Sequence, residues 1–181
     1  MASIYAQAQV CDDFKCIDYN PDIENIFKNS RNYDQLLSVW KGWHDVTGRK
    51  MREIYTQTVE IENKGARENG YKNLMDVWIE EFQVDNFEKI YDDLFYKIKP
   101  IYYQLHMYVK NKLKSYYGNN YPPNHDERLI PAHLLGNIWS QNWEHILDIV
   151  LPYANAPTLD LTSLLIKRNY TVKKLFKVKN N

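Results

Sequence analysis

The sequence predicts an all-α fold with at most a short strand, placed near residues 129–135. Between about Asn86 and Tyr117, apolar residues recur at intervals of three and four, which places them on one face of a long helix. A second stripe with this spacing begins at Leu36 and continues toward Ala66. The chain also contains 15 Tyr and 5 Trp, whose large rings suit packed helix faces and cleft walls alike.

The first thirty residues are predicted to hold two short helical segments separated by a loop. Ala2 to Val10 is typical of the end of a helix, and Cys11 to Pro21 is expected to be a loop. Pro21 and Asp22 then open a short helix that ends near Ser30, because proline is well tolerated in a first helical turn.

Two longer helices follow. The first starts at residues 32–34 and carries its stripe toward Ala66, with Gly48 expected to interrupt it. Asn69 and Gly70 form a turn signal. The second covers the stripe from about Asn86 to Tyr117, and Pro100 should kink it because the ring removes a backbone donor.

The remaining third of the chain is predicted to alternate loops with shorter helices. Gly118 to Asn124 is an exposed loop, and Leu129 to Leu135 is either a strand or a buried irregular segment. The predicted helices are Asn137 to Val150, stopped by Pro152, then Leu161 to Arg168 and Val172 to Val178. Because no repeat or linker divides the sequence, residues 1–181 are expected to belong to one domain.

The charge balance and hydropathy exclude several classes of protein. Lys and Arg total 23, and Asp and Glu total 23, so the basic field typical of nucleic-acid-binding proteins is missing. No apolar run approaches the roughly 20 residues that cross a bilayer. Met1 to Val10 has no basic segment followed by an apolar one, so no signal peptide is predicted in this chain.

The two cysteines, Cys11 and Cys16, are separated by four residues. This gap could close a small disulfide loop or supply half of a metal site. No second cysteine pair or histidine cluster completes a zinc site, so a disulfide is favoured, which indicates an oxidising compartment. One possible glycosylation site, Asn169 followed by Tyr170 and Thr171, agrees with that compartment.

The histidines do not by themselves indicate a catalytic site. None of the five is paired with another at the four-residue spacing that places two imidazoles around one metal. His106 is interpreted as a structural or surface residue, and His125 belongs to a solvated run of charges. No glycine-rich phosphate loop or serine-nucleophile motif occurs either, so the chemistry alone indicates only an aromatic-rich helical domain.

Longer blocks of sequence are more specific. Residues 130–143 read IPAHLLGNIWSQNW, residues 30–37 read SRNYDQLL, and residues 40–45 read WKGWHD. These blocks closely resemble the angiotensin-converting enzyme family of zinc peptidases. Further similarity at residues 66–71 and 99–109 extends the resemblance over nearly the whole chain.

The resemblance implies a helical ellipsoid of two sides around a deep channel, in which dipeptides are removed from the C-termini of peptides. The family binds zinc through the motif H-E-x-x-H and a downstream glutamate, and the glutamate of the motif activates the zinc-bound water. Neither occurs in this sequence. We therefore expect an internal portion of the domain, truncated at both ends, with no catalytic residue and no zinc ligand, and inactive by itself.

The resemblance also assigns substrate-binding positions. Gln141 matches the family glutamine that helps to hold the C-terminal carboxylate of the substrate, and is expected to project from a helix. Asn142 and Asn20 match positions that line the adjacent subsites, and many relatives carry Glu at the position of Asn20. Loss of that carboxylate should alter the preference for basic side chains. Asn137 and Trp139 are expected to shape the wall of the channel.

Two departures concern chloride. The family binds one chloride through an arginine at the position of His44 and a second through a tyrosine at the position of Phe82. A neutral imidazole is a poorer anion ligand, and Phe has no donor, so chloride dependence should be weak or absent. Cys11 and Cys16 match the first disulfide of the family, and the resemblance implies an extracellular or secreted protein.

A helical scaffold with no ligand remains open only if the matching blocks reflect packing alone, so two functions are favoured from the sequence. The first is a portion of the substrate cleft of an active zinc peptidyl-dipeptidase, with a peptide as its partner. The alternative is a short noncatalytic relative that is secreted and binds peptides or acts as an interaction protein.

Overall fold

The computed structural model describes residues 1–11, 15–123, 126, 128–153 and 161–170. It divides into two compact units, Met1–Val150 and Leu151–Asn181, which are described separately. The helices and strands assigned to the described residues are α1 Ala2–Ala6, β1 Gln9–Cys11, β2 Cys16–Asp18, α2 Glu24–Asn29, α3 Tyr33–Glu68, α4 Leu74–Glu80, α5 Phe87–Tyr117, α6 Leu147–Val150 and α7 Thr162–Lys167. The mostly helical prediction is therefore confirmed, and the prediction of one domain over residues 1–181 stays a prediction.

The strand content lies at the start of the chain rather than near residues 129–135. β1 and β2 form an antiparallel hairpin in which Val10 pairs with Ile17, and the predicted helix ends at Ala6 instead of Val10. Cys11 and Cys16 are bonded to each other, which confirms the disulfide. Because Val10 and Ile17 are half-buried between exposed neighbours, the hairpin has the alternating pattern of a strand with one packed face.

The hairpin packs closely on α3 at Gly42. A Cβ atom at this position would lie 2.7 Å from Cγ1 of Val10, so a larger residue would displace the hairpin. After β2 the chain makes one wide helical turn, Tyr19–Ile23, and enters α2. The short helix predicted from Pro21 to Ser30 thus corresponds to this turn and α2.

Helix α3 is continuous, so the predicted interruption at Gly48 is wrong. The side chain of Asn32 caps its first turn by accepting a hydrogen bond from the Gln35 amide at 2.9 Å. Asp45 pairs with both Lys41 and Arg49 along the exposed face that spans the glycine. A glycine costs only about 1 kcal/mol relative to alanine in a helix, which a helix of 36 residues with this cap tolerates.

Helix α5 extends through Pro100, with helical residues on both sides. The predicted boundaries of this helix are confirmed to within one residue, and the kink stays a prediction. α4, between the turn at Asn69 and Gly70 and the start of α5, was not predicted. It begins at the cap of Asn73, whose side chain accepts from Met75 N at 2.8 Å.

The hydrophobic core occupies one end of the first unit. It is formed by α2, the first half of α3, the last turns of α5 and the irregular segment 130–150. Its buried members are Ile23, Phe27, Leu36, Val39, Trp43, Val109, Leu113, Tyr117, Tyr121, Leu134, Leu135, Ile138, Ile146, Ile149 and Val150. In contrast, the second half of α3 and the first half of α5 are mostly exposed, and Ile61 and Ile101 are each 70% accessible.

Residues 130–150 differ most from the prediction. The segment Leu129 to Leu135 is irregular and largely buried, with one turn of 3₁₀-helix at Ala132–Leu134, so the strand reading of it is wrong. The predicted helix Asn137 to Val150 is also wrong except for its last turns, Glu144–Ile146 and α6. Gly136 and Ser140 have φ of 86° and 60°, which a right-handed helix excludes.

The second unit is described only at residues 151–153 and 161–170. Helix α7 confirms the helix predicted from Leu161 to Arg168 and is mostly exposed. The helix predicted from Val172 to Val178 and the loop around His125 lie outside the described residues. No described helix is both long enough and apolar enough to span a membrane.

Candidate functional site

The segment between Gly136 and Ile146 is held in place by side chains that bond to the backbone. Oδ1 of Asn137 accepts from the Gln141 amide at 3.0 Å, and Oγ of Ser140 donates to the Ala132 carbonyl at 2.8 Å. The indole of Trp143 donates to the Ser140 carbonyl at 3.1 Å. These bonds replace the helical ladder, because polar side chains near the backbone compete with helix formation.

Gly136 is required where this segment folds back on itself. Its φ of 86° suits glycine, and a Cβ atom there would lie 2.9 Å from the Asn142 carbonyl oxygen. The turn therefore brings Asn142 against the start of the segment. As a result, this segment forms one wall of a cleft and does not continue as a helix.

The cleft has a volume of about 220 Å³ and lies between this segment and the start of α2. The ring of Trp139 contacts the ring of Tyr19 with centroids 5.2 Å apart, and this pair joins the two sides. The residues that line the cleft are Tyr19, Ile23, Glu24, Phe27, Gly136, Asn137, Ile138, Trp139, Asn142 and His145.

The predicted substrate-binding residues lie at or beside this cleft. Gln141 and Asn142 are both exposed, and Gln141 lies on the irregular segment rather than on a helix, so that part of the prediction is wrong. The Asn142 side chain accepts from the Glu144 amide at 3.0 Å. Asn137 and Trp139 line the same cleft.

Asn20 lies at the edge of the site. It is exposed, its backbone is extended, and the peptide bond to Pro21 is cis. The cleft is lined by its neighbour Tyr19, and the set of lining residues does not include Asn20. The structure therefore brings Asn142, Asn137 and Trp139 together and places Gln141 and Asn20 next in sequence to residues of the cleft.

Arg31 ties the far side of the site to the start of α3. Its Nη2 lies 2.5 Å from the His145 carbonyl oxygen, and its guanidinium contacts both carboxylate oxygens of Asp148 at 2.9 and 3.1 Å. Nη1 donates to the Ser30 carbonyl at 2.8 Å. A rigid fork of donors suits several acceptors at once, so Arg31 holds the backbone that follows Asn142.

The two positions that concern chloride make other contacts. Nδ1 of His44 lies 2.7 Å from the Trp40 carbonyl, and the two rings are stacked with centroids 4.1 Å apart. Phe82 is 59% exposed and stacks on Phe87 at 4.5 Å.

The residues that the structure describes include no zinc site. Among the described residues, no group of three His, Cys, Asp or Glu side chains could hold a metal, and both cysteines are in the disulfide. Asn169, the possible glycosylation site, is exposed after α7 with φ of 51°. His106 is partly buried, and desolvation followed by the charge of Lys110 lowers the pKa of its imidazole.

Sequence reasoning missed two features of the site region. Glu24 lines the cleft, and no spacing in the sequence signalled it, because the extended backbone of Asn20 and the cis bond to Pro21 interrupt helical geometry before α2. His133, in the same irregular segment, is 4% exposed and packs edge-on against Tyr33 at 4.7 Å. Burial lowers the pKa of His133 to about 4, so this imidazole is neutral at pH 7.

Comparison with known proteins agrees with the blocks in the sequence. The family model described as angiotensin-converting enzyme, peptidase M2, matches residues 1–181. Angiotensin-converting enzyme from Rattus norvegicus is 39% identical over 182 residues, which cover 100% of this chain and 14% of the relative. The enzyme from Theromyzon tessulatum is 39% identical, with 98% of this chain and 29% of the relative covered.

A third relative carries a different description. The angiotensin-converting enzyme-like protein Ace3 of Mus musculus is 38% identical over 99% of this chain and 24% of its own length. The chain thus spans less than a third of each of these relatives. The match over its whole length, at this identity, shows that the chain belongs to the angiotensin-converting enzyme family of zinc metallopeptidases.

Proposed function

We propose that this chain forms part of the substrate cleft of a zinc peptidase that removes dipeptides from the C-termini of peptides. The observation that carries the proposal is the position of Gln141 and Asn142. Both side chains are exposed on an irregular segment, held by hydrogen bonds from side chains to the backbone, at the edge of a cleft, in a family of peptidases. A peptide is therefore the partner that this surface would bind.

Gln141 is suited to a carboxylate ligand. Its backbone is fixed by the bond to Asn137, while its side-chain amide makes no hydrogen bond to any residue that the structure describes. An amide held in this way can donate to a substrate carboxylate without first breaking a contact in the protein. This arrangement supports the role that the family resemblance gives to Gln141.

By itself, the chain is proposed to be inactive. The sequence has no H-E-x-x-H, and the described residues hold no set of metal ligands. In an intact peptidase, zinc would supply a Lewis acid and an activated water, and this chain would contribute binding and orientation of the peptide. Zinc ligands would then come from elsewhere in the polypeptide.

Hydrolysis by the purified chain tests the second part of the proposal. A peptide with a free C-terminus is incubated with residues 1–181 and zinc, with and without a chelator. We expect no release of a dipeptide by mass spectrometry. Chelator-sensitive turnover would overturn the assignment of this chain as a noncatalytic part.

A chimera tests the first part. Residues 1–181 replace the matched segment in the Theromyzon tessulatum relative, and hydrolysis of a peptide with a free C-terminus is compared with that of its C-terminal amide. Gln141→Ala should raise KM for the free peptide by about tenfold and change that for the amide much less. An equal increase in KM for both peptides would show that Gln141 does not bind the C-terminal carboxylate.

The alternative function predicts a different outcome. A secreted, noncatalytic peptide-binding or interaction protein would bind the same peptide as an isolated chain and leave it intact. Because part of an enzyme cleft would also bind the peptide, the chimera decides between the two: a folded chimera that does not cleave the peptide would favour the alternative.

The same chimera tests the proposals on chloride and location. Its activity should change little with chloride at constant ionic strength, because His44 and Phe82 lack the donors of the family sites. His44→Arg together with Phe82→Tyr should restore a response. Expression through a secretory pathway should preserve the Cys11–Cys16 disulfide and add a glycan at Asn169, as expected for an extracellular protein.

A further inference from the structure

We propose that Glu24 makes the cleft selective for a lysine or arginine side chain within the C-terminal dipeptide of the substrate. This inference rests on the proposed function, since it assigns the side chain that the same cleft would accept. Glu24 is the first residue of α2, and it lines the cleft together with Asn142 and Trp139.

The carboxylate of Glu24 is available for a ligand. Among the residues that the structure describes, no side chain forms an ion pair or a hydrogen bond with it. No Lys or Arg is among the residues that line the cleft, and no second carboxylate is either. Glu24 is therefore the one carboxylate that lines the cleft, and the titratable groups that line it with Glu24 are Tyr19 and His145.

The effect of Glu24 already appears on its neighbour Tyr19. Burial, and next to it the charge of Glu24, raises the pKa of the Tyr19 hydroxyl. The negative charge of Glu24 disfavours a phenolate at Tyr19, and the same charge would favour a cation bound nearby.

The other lining groups suit a basic side chain. Tyr19 and Trp139 present aromatic rings, and a guanidinium or ammonium group over such a face is attracted to it. Asn137 and Asn142 line the same cleft, and the side-chain oxygen of each already accepts a backbone N–H. The volume of about 220 Å³ is below the roughly 300–1,000 Å³ of pockets for whole small molecules, so it fits a single side chain.

This selectivity differs from the expectation based on Asn20. Asn20 brings no carboxylate, and it is not among the residues that line the cleft. Glu24 places a carboxylate four residues further along the chain, among the residues that line the cleft. We therefore expect a preference for basic side chains despite the asparagine at position 20.

The test uses the chimera described above and peptides that are identical except in the C-terminal dipeptide. One peptide of each pair has lysine and the other has norleucine, at the last or the penultimate position. For one of these positions we expect kcat/KM to favour lysine, and Glu24→Gln to reduce the ratio about five- to tenfold. Glu24→Asp should retain part of the preference, and Glu60→Gln, an exposed carboxylate on α3, should leave the ratio unchanged.

The outcomes separate this inference from the proposed function. A chimera that cleaves every peptide at an unchanged ratio after Glu24→Gln would overturn the role of Glu24 and leave the peptidase assignment intact. A folded chimera that cleaves none of the peptides would overturn the proposed function.

Binding to the chain of residues 1–181 decides the matter if the chimera does not fold. The dipeptides alanyl-lysine and alanyl-norleucine are titrated while the indole N–H signal of Trp139 is followed by nuclear magnetic resonance. Tighter binding of alanyl-lysine that is lost in Glu24→Gln supports the inference, and equal binding of the two dipeptides refutes it.

Discussion

Removal of Arg31 should both destabilise the first unit and loosen the backbone next to Asn142. The guanidinium is 22% exposed and joins the Ser30 carbonyl, the His145 carbonyl and the Asp148 carboxylate. In the sequence, Arg31 is separated from His145 by 114 positions and from Asp148 by 117. Arg31→Ala therefore removes a long-range connection between the start of α3 and the site, with no substitute among its immediate neighbours.

The expected cost can be worked out from the exposure of each partner. Asp148 is 57% exposed, so its ion pair contributes only about 0.5 kcal/mol after screening by solvent. The bond to the His145 carbonyl, from a charged donor in a partly buried place, contributes about 1.5 kcal/mol. Arg31→Ala should thus lower the free energy of unfolding by about 2 kcal/mol, and Asp148→Asn by about 0.5 kcal/mol.

Urea unfolding of the oxidised chain, followed by the fluorescence of its five tryptophans, of which Trp43 is buried in the core, measures these differences. The matched control is Arg49→Ala, which removes a side chain that is 80% exposed and paired only along α3, and should cost less than about 0.5 kcal/mol. If Arg31→Ala costs no more than Asp148→Asn, the carbonyl contact contributes nothing and the reasoning is refuted. In the chimera, Arg31→Ala should also raise KM for peptides, and Arg31→Lys should recover only part of it.

Three other predictions concern stability. Gly136→Ala should lower the free energy of unfolding by about 1–3 kcal/mol, because φ is 86° and the added Cβ would lie 2.9 Å from the Asn142 carbonyl oxygen. Gly48→Ala, in open space on α3, should instead raise it by about 0.5 kcal/mol. Thermal melts of the two variants measure both differences. The pKa of His133 is lowered from 6.5 to about 4 in the fold, so the unfolded chain binds more protons between these pH values. Stability should therefore fall as the pH drops from 6.5 toward 4, by up to about 3 kcal/mol, and His133→Gln should flatten this part of the unfolding profile. The exposed apolar halves of α3 and α5 should bind a hydrophobic dye, and Ile101→Ser should reduce the fluorescence of the bound dye. A monomer that melts sharply and binds no dye would contradict this prediction.

The long helices could be predicted because their signals are local and repeated. The stripe from Asn86 to Tyr117 returns at helical spacing often enough to place both ends of α5 within one residue. The break predicted in α3 at Gly48 was wrong because one residue of low helix propensity does not end a helix that has a capped first turn and ion pairs along its exposed face. Helix propensity is a small energy beside these tertiary and local contacts.

The site region could not be predicted in the same way. Residues 137–150 have the composition of a helix, and the features that prevent one are the positive φ values at Gly136 and Ser140 and the bond from Ser140 to Ala132. The hairpin that contains Val10 depends similarly on a contact with Gly42, 32 positions away in the sequence. Such contacts form only when distant parts of the chain meet, so spacing along the sequence does not reveal them.

The irregular segment also determines which substitution tests the role of Gln141. Because Oδ1 of Asn137 holds the Gln141 backbone at 3.0 Å, Asn137→Ala should release that backbone and impair the binding of a C-terminal carboxylate even though Gln141 is intact. In the chimera, we expect Asn137→Ala to raise KM for a peptide with a free C-terminus, and Asn137→Asp, which keeps the acceptor oxygen, to raise it less. A matched change at Asn25, an exposed residue of α2, should have no effect. If Asn137→Ala leaves KM unchanged while Gln141→Ala raises it, then Gln141 binds substrate without needing a fixed backbone. In a helix, backbone hydrogen bonds would hold the Gln141 amide. Here the side chain of Asn137 holds it, so one substitution can test this contact.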